Sequence, residues 1–187
     1  MKQNINITIE DREIYLYDEI KSSTVLNVIK DIDYIIKSDE IVKYSIPDTI
    51  SYNPKPINLI INSGGGLVND GFALHDYIKS SSIEINGIAN GICASIALDI
   101  FLACKKRSAF KTTRFVIHQP SSGVIGEAKD IKDCSERIEE EKNTIFRHVA
   151  ENTNISIETL NDIYDKKKDW YINAEQALSL GIIHEII

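Results

Sequence analysis

Positive charge is in short supply. The 21 Lys and Arg stand against 28 Asp and Glu, a formal net charge of −7. That balance argues against a nucleic-acid partner held on a basic face. The one basic cluster, Lys105-Lys106-Arg107, follows an apolar run and reads as a helix cap or a solvated turn. Cysteine is also scarce. Cys93, Cys104 and Cys134 are odd in number and widely spaced, so they make neither a zinc pattern nor a disulfide framework. The expectation is a reducing compartment, the cytoplasm, with no metal bound. No apolar stretch is long enough to span a bilayer, and Met1 to Asn4 carry no apolar signal region, so no membrane partner is expected. Glycine numbers only nine, yet three are consecutive at Gly64-Gly65-Gly66. A chain of 187 residues can bury a real core and is expected to form one domain over 1–187, with 1–11 as a short N-terminal segment.

Read in order, Arg12 to Tyr17 has the character of a strand. Ser22 to Ile36 carries an apolar helical face, with Ser22 or Ser23 as the cap. Residues 38–56, punctuated by Pro47, Pro54 and Pro56, read as a loop with a short strand. Ile57 to Asn62 is a buried strand running into the glycines, and a helix then ends near Lys79. Ile83 to Ala89 is a strand. The apolar run from Ile92 to Cys104, broken only by Ser95 and Asp99, reads as a helix with Ser95 in its first turn. Ser108 to Phe110 and Arg114 to His118 are two short strands, and Gly126 to about Val149 is a long charged helix. Ser156 caps a helix to Asp165, and Trp170 to Ile172 is extended. Asn173 caps a helix ended by Gly181, and Ile182 to Ile187 is a last strand. Alternation of strand and helix from residue 57 onward means an α/β class.

Four places carry chemistry. Three glycines after a buried strand make a tight turn, a phosphate loop or an oxyanion hole. The phosphate reading lacks the Lys-Ser/Thr pair and the dinucleotide spacing. Ser95, at a helix start, serves as a cap or a nucleophile. Cys93 is a rival nucleophile that falls on the apolar run and reads as packing. His118 closes a strand before Gln119-Pro120, which turns the chain out of the sheet and aims the ring into a groove. Asp169 follows Lys166-Lys167-Lys168 and is either a balancing carboxylate or a catalytic one, with Asp162 and Asp165 as rivals. His75, His148 and His184 are given no chemistry.

Ser63-Gly-Gly-Gly66, Ala94-Ser95-Ile96-Ala97, Ile117-His118-Gln119-Pro120 and Asp169…Asn173-Ala174-Glu175-Gln176-Ala177…Leu180-Gly181 occur in that order. In this the chain resembles the Clp-type serine protease proteolytic subunit, ClpP, strongly from Ile57 onward and weakly before it. The resemblance implies an α/β fold of the ClpP/crotonase type: repeated β-β-α units with a protruding handle helix, here about 123–150. It implies a serine endopeptidase acting on unfolded or threaded polypeptides. Ser95 would be the nucleophile, His118 the general base and Asp169 the carboxylate that orients the imidazole. The backbone N–H groups of Gly66 and Ile96 would form the oxyanion hole. No cofactor or metal is implied in this chain, ATP being used only by a partner AAA+ unfoldase. The implied assembly is a homo-oligomer, a heptameric ring that stacks into a double ring through the handle.

The sequence departs from that family at Gly64, where Pro is common, and at Ala97, where Gly is usual. Lys168 stands where an Arg makes a ring-to-ring ion pair, and an ammonium cannot pair in that bidentate way. Asn58 and Ile60 replace aromatic residues of the ATPase-docking groove. These changes spare the triad and weaken ring stacking and unfoldase docking. They leave two alternatives: a phage-type ClpP-like capsid maturation protease, or a catalytically silent ClpP-like ring or scaffold subunit. A crotonase-like enzyme acting on acyl-CoA would share the glycine turn but leaves the settings of Ser95 and His118 unexplained.

Overall fold

The protein is described from a computed structural model, which covers residues 3–4, 12–120 and 123–187. The N-terminal segment expected over 1–11 therefore lies outside the described residues, apart from Gln3 and Asn4. The elements run β1 (Gln3–Asn4), β2 (Glu13–Leu16), α1 (Ser22–Ser45), β3 (Ile50–Ser51), β4 (Ile57–Ser63), α2 (Val68–Ser80), β5 (Ile85–Ala94), α3 (Ile96–Ala103), β6 (Arg107–Ala109) and β7 (Arg114–Ile117). They continue as α4 (Ala128–Asn152), α5 (Ile157–Asp165), β8 (Trp170–Asn173), α6 (Ala174–Ser179) and β9 (Glu185–Ile186). The architecture is the α/β class expected from the alternation.

The main sheet has parallel strands in the order β2-β4-β5-β6-β9; β7 joins β5 in parallel and β8 joins β7 antiparallel. Ile57, Leu59, Ile60 and Ile61 of β4 are all buried, the near-continuous apolar run that a parallel strand covered on both faces requires. All of α3, from Ile96 to Ala103, is buried as well. A helix apolar all round has no solvent face and must lie inside the molecule.

Strand β5 serves two neighbours. Gly87 to Ala89 pair with β6, whereas Ile92 to Ala94 pair with β7. The change falls at Gly91, whose φ is +94°. Here the register with β4 also slips, from Ile61↔Ala89 to Ser63↔Cys93, so two steps on β4 span four on β5. Asn62 holds the irregularity by accepting the Ile92 N–H at 3.0 Å on its side-chain oxygen. The extra length at this bulge redirects the end of the strand. Residues 92–94, expected as helix, are therefore strand.

Helix α1 continues to Ser45, well past Ile36, through a stretch expected as loop. Its buried stripe is Val25, Val28, Ile32, Ile35 and Asp39, at alternating spacings of three and four. The fifth position is a carboxylate, and so the apolar signal stops early. Arg12 donates to both Asp39 oxygens at 2.9 and 2.8 Å, which satisfies the buried charge. The N-cap is Lys21, not Ser22 or Ser23; Ser22 donates instead to the Asp70 carboxylate on α2.

Arg107 is no solvated turn residue. It is buried, and its guanidinium donates to Ile182 O at 2.7 Å, Asn152 O at 2.8 Å and Gly181 O at 3.1 Å, with longer contacts to Leu102 O and Cys104 O. These carbonyls close the C-terminal ends of α3, α4 and α6, where unpaired C=O groups concentrate partial negative charge. The cap reading was right in kind, but one cation serves three helices.

The starts of α5 and α6 match expectation. Ser156 accepts the Thr159 N–H, and Asn173 and Gln176 form a reciprocal capping box. Gly181 has φ +72° just past α6.

Candidate active site

Ser95 stands between β5 and α3, as the residue that caps the helix and not within its first turn. Its φ and ψ of 56° and −134° are unusual for a side-chain-bearing residue; among described non-glycine residues only Ser95 and Lys167 have positive φ. Such strain costs on the order of 1–3 kcal/mol and persists where neighbours enforce it. Here the Ser95 N–H donates to Val116 O, and the Ser95 carbonyl accepts from the Leu98 N–H, each at 3.0 Å. The Ser95 hydroxyl makes no capping hydrogen bond. A strained strand-to-helix turn that presents an uncommitted hydroxyl is the arrangement of a nucleophile elbow. The rival Cys93 is fully buried, and burial pushes its thiol well above the ordinary range, so little thiolate forms.

The glycine turn packs directly on this serine. A Cβ at Gly65 would lie 2.6 Å from Ser95 Cβ, and one at Gly66 would lie 2.2 Å from Ile20 O. Gly64 has open space, so a Cβ there would meet no neighbour. Gly66 makes a parallel bridge to Ile20, built from Ile20 N–H to Gly65 O at 2.9 Å and Leu67 N–H to Ile20 O at 2.7 Å. In that pattern the bridged residue's own N–H turns away from its partner strand. The Ile96 N–H, first in α3, has no intrahelical acceptor. Among the described residues neither expected oxyanion donor has an acceptor.

Gly71 of α2 supports Ile96 from behind. A Cβ there would lie 2.0 Å from Ile96 Cγ1. Gly71→Ala should therefore overpack the α2–α3 contact and lower stability by about 1–3 kcal/mol, despite alanine's better helix propensity. Urea denaturation measures this, and an unchanged midpoint would mean that Ile96 moves aside without cost.

Ser95 and His118 are brought together. Both line a cleft of about 730 Å³ whose walls include Gly64, Gly66 and Pro120, and the α4 residues Arg137, Glu141 and Lys142. His118 follows β7, which pairs with the end of β5 through Ala94↔Val116. Gln119 donates to Tyr164 O and ties this segment to α5. Asp169 is exposed and is not part of the cleft lining, but it is next to the strand that bears the histidine. The antiparallel register ends Val116↔Tyr171, Ile117↔Trp170, and His118 and Asp169 are the residues just outside that last pair. Among the described residues no hydrogen bond joins Ser95, His118 and Asp169. Of the rivals, Asp162 is engaged by Lys166 Nζ at 2.5 Å and Asp165 is the last residue of α5.

Sequence reasoning passed over a second group beside this cleft: His75, Asp99 and His148. Burial by itself would raise the Asp99 carboxyl, but the His148 hydrogen bond and the close approach of His75 outweigh it and hold the group below the usual carboxylate range. The available signal was a charged residue inside an otherwise apolar helix.

A parallel sheet ending in a strained serine, a glycine turn against that serine and a histidine lining the same cleft are what a resemblance to the Clp proteases implies. The Clp protease family profile matches residues 1–187, and the chain belongs to that family. Among its relatives is the ATP-dependent Clp protease proteolytic subunit 2 of Treponema pallidum (strain Nichols), 28% identical over 181 residues, with 96% of this chain and 83% of that one covered. The protein of the same name from Chlamydia trachomatis serovar D is 30% identical over 181 residues, covering 96% and 82%. Of solved structures, a ClpP1 mutant from Listeria monocytogenes matches with a TM-score of 0.74 and 29% identity, covering 94% of this chain and 91% of that one. These relatives make the chain a protease of the ClpP type. No helix among the described residues is long and apolar enough to cross a membrane.

Proposed function

We propose that this protein is a serine endopeptidase, the proteolytic subunit of a Clp-type assembly. The observation that carries the reading is the Ser95 elbow: an enforced positive φ and a hydroxyl with no structural duty, in the same cleft as His118. Ser95 attacks the peptide carbonyl. His118 takes the hydroxyl proton and returns it to the leaving amine, and Asp169 orients and charge-stabilises the imidazole. The N–H groups of Gly66 and Ile96 receive the oxyanion, with the positive end of α3 behind them. The open Ser95–His118–Asp169 arrangement is a resting one, since catalytic hydrogen bonds often tighten only when substrate binds.

Polypeptide substrates bind extended along the sheet edge, held by main-chain hydrogen bonds. The subunit works as a homo-oligomeric ring of seven, with α4 as the handle between rings. Any ATP is consumed by a partner AAA+ unfoldase, and this chain needs no cofactor. The three buried cysteines, none of them in a disulfide among the described residues, suit the cytoplasm. Native mass measured alongside hydrolysis of a small fluorogenic peptide tests the reading. A ring-sized particle that cleaves is expected; a particle of ring size without cleavage would favour the silent scaffold, and cleavage by a monomer would remove the ring.

A further inference from the structure

Asp99 lies one helical turn beyond Ser95 on α3, and its side chain is completely buried. No lysine or arginine pairs with it among the described residues; its neighbours are two imidazoles. His148 Nδ1, from α4, lies 2.8 Å from Asp99 Oδ1. His75 Nδ1, from α2, is 3.0 Å from Asp99 Oδ2 and also 3.0 Å from the main-chain oxygen of the same residue. One N–H directed at the main-chain oxygen leaves Oδ2 buried without a donor. An orphaned carboxylate oxygen in such a place costs about 1–3 kcal/mol or more.

The two rings stack, with centroids 4.3 Å apart and planes 19° from parallel. Two protonated rings at that distance would repel, and two neutral ones, each donating its N–H, would bring no positive charge to the carboxylate. A divalent cation would. It accepts a lone pair from each neutral imidazole, occupies Oδ2 and balances the buried charge.

We propose that His75, Asp99 and His148 bind one divalent transition cation of the zinc type. Their donor atoms already lie within 4.8 Å of one another. Bonds of about 2.0–2.2 Å in a tetrahedral set place ligand atoms roughly 3.3 Å apart. His75 Nδ1, 3.0 Å from Oδ2, needs to open by only a few tenths of an ångström, while the His148 ring, now 2.8 Å from Oδ1, turns toward Oδ2 within the 4.8 Å span of the cluster. Two nitrogens and one oxygen suit a borderline cation, whereas calcium and magnesium favour all-oxygen sites. Asp99 lines the same cleft as Ser95, so an ion entering from that cleft has to pass only this one side chain to reach the cluster. The ion clamps α2, α3 and α4 together beneath the nucleophile. The sequence reading expected no metal, because the three ligands are spread over 74 positions, from 75 to 148, with no metal-binding spacing. Binding does not require Ser95 to be reactive.

The test uses the full chain, stripped with a chelator, dialysed, and titrated with Zn²⁺ and separately with Co²⁺. One ion per chain, the visible bands of tetrahedral Co²⁺ and a higher thermal midpoint with Zn²⁺ are expected. His148→Ala and His148→Gln should each weaken binding about tenfold or more and remove the Co²⁺ bands. His184→Ala, at a histidine engaged with the Arg107 N–H, should bind like the parent. Bands or affinity unchanged in both His148 variants would overturn the site. Should neither variant fold, the parent decides alone: substoichiometric uptake, or a Co²⁺ spectrum of octahedral type, rejects the proposal.

Discussion

Ser95→Ala is expected to lower turnover of a fluorogenic peptide by about 10⁶-fold, the scale associated with loss of a triad nucleophile, and to abolish labelling by a fluorophosphonate. Stability should barely change, because the hydroxyl forms no cap and no other hydrogen bond among the described residues. The same absence separates the two roles this serine had on sequence grounds. A capping serine replaced by alanine costs about 1 kcal/mol and leaves catalysis untouched; a nucleophile does the reverse. Measuring kcat and the urea midpoint on one preparation distinguishes them. Cleavage at the parent's rate would remove Ser95 from the mechanism.

The second large effect is expected at Asp169. Asp169→Asn should reduce kcat by about 10⁴-fold, since an amide cannot hold the imidazole in the tautomer that accepts the serine proton. Asp165→Asn should stay within a few-fold of the parent. The contrast follows from the strand register, which ends at Ile117↔Trp170 with Asp169 and His118 each one residue outside it, and leaves Asp165 on a different element. Since Asp169 is exposed, the substitution should leave the denaturation midpoint near the parent's, so that the loss reads as catalysis and not as unfolding. Equal losses in the two variants would assign the wrong carboxylate.

Much of this arrangement was visible in the chain. The buried character of Ile57 to Asn62, the glycine triplet and the capping signals at Ser156 and Asn173 are local, and each maps onto the element that it suggested. What escaped is nonlocal. Asp39 continues the buried stripe of α1 only because Arg12, far away in sequence, meets its carboxylate, so an amphipathic helix reads as ending nine residues too early. The run from Ile92 to Ala103 is apolar throughout except at Ser95 and Asp99, and periodicity cannot tell a buried strand from a buried helix in such a run. The division at Ser95 depends on pairing between β5 and β7. Arg107 looks like one of three surface cations until the helix ends it closes are assembled around it. His75 and His148 each read as ordinary amphipathic residues, and their meaning arises from Asp99 between them.

The handover of β5 from one neighbour to the other puts Ser95 and His118 on the same side of Gly91, on the strand end and just after β7. The last residue of β4 also pairs beyond Gly91, as Ser63↔Cys93, and carries the glycine turn with them. A flexing of the sheet at Gly91 would therefore move alcohol, imidazole and glycine turn as one unit, so that strain in the rest of the sheet reaches the proposed centre without changing its internal spacing.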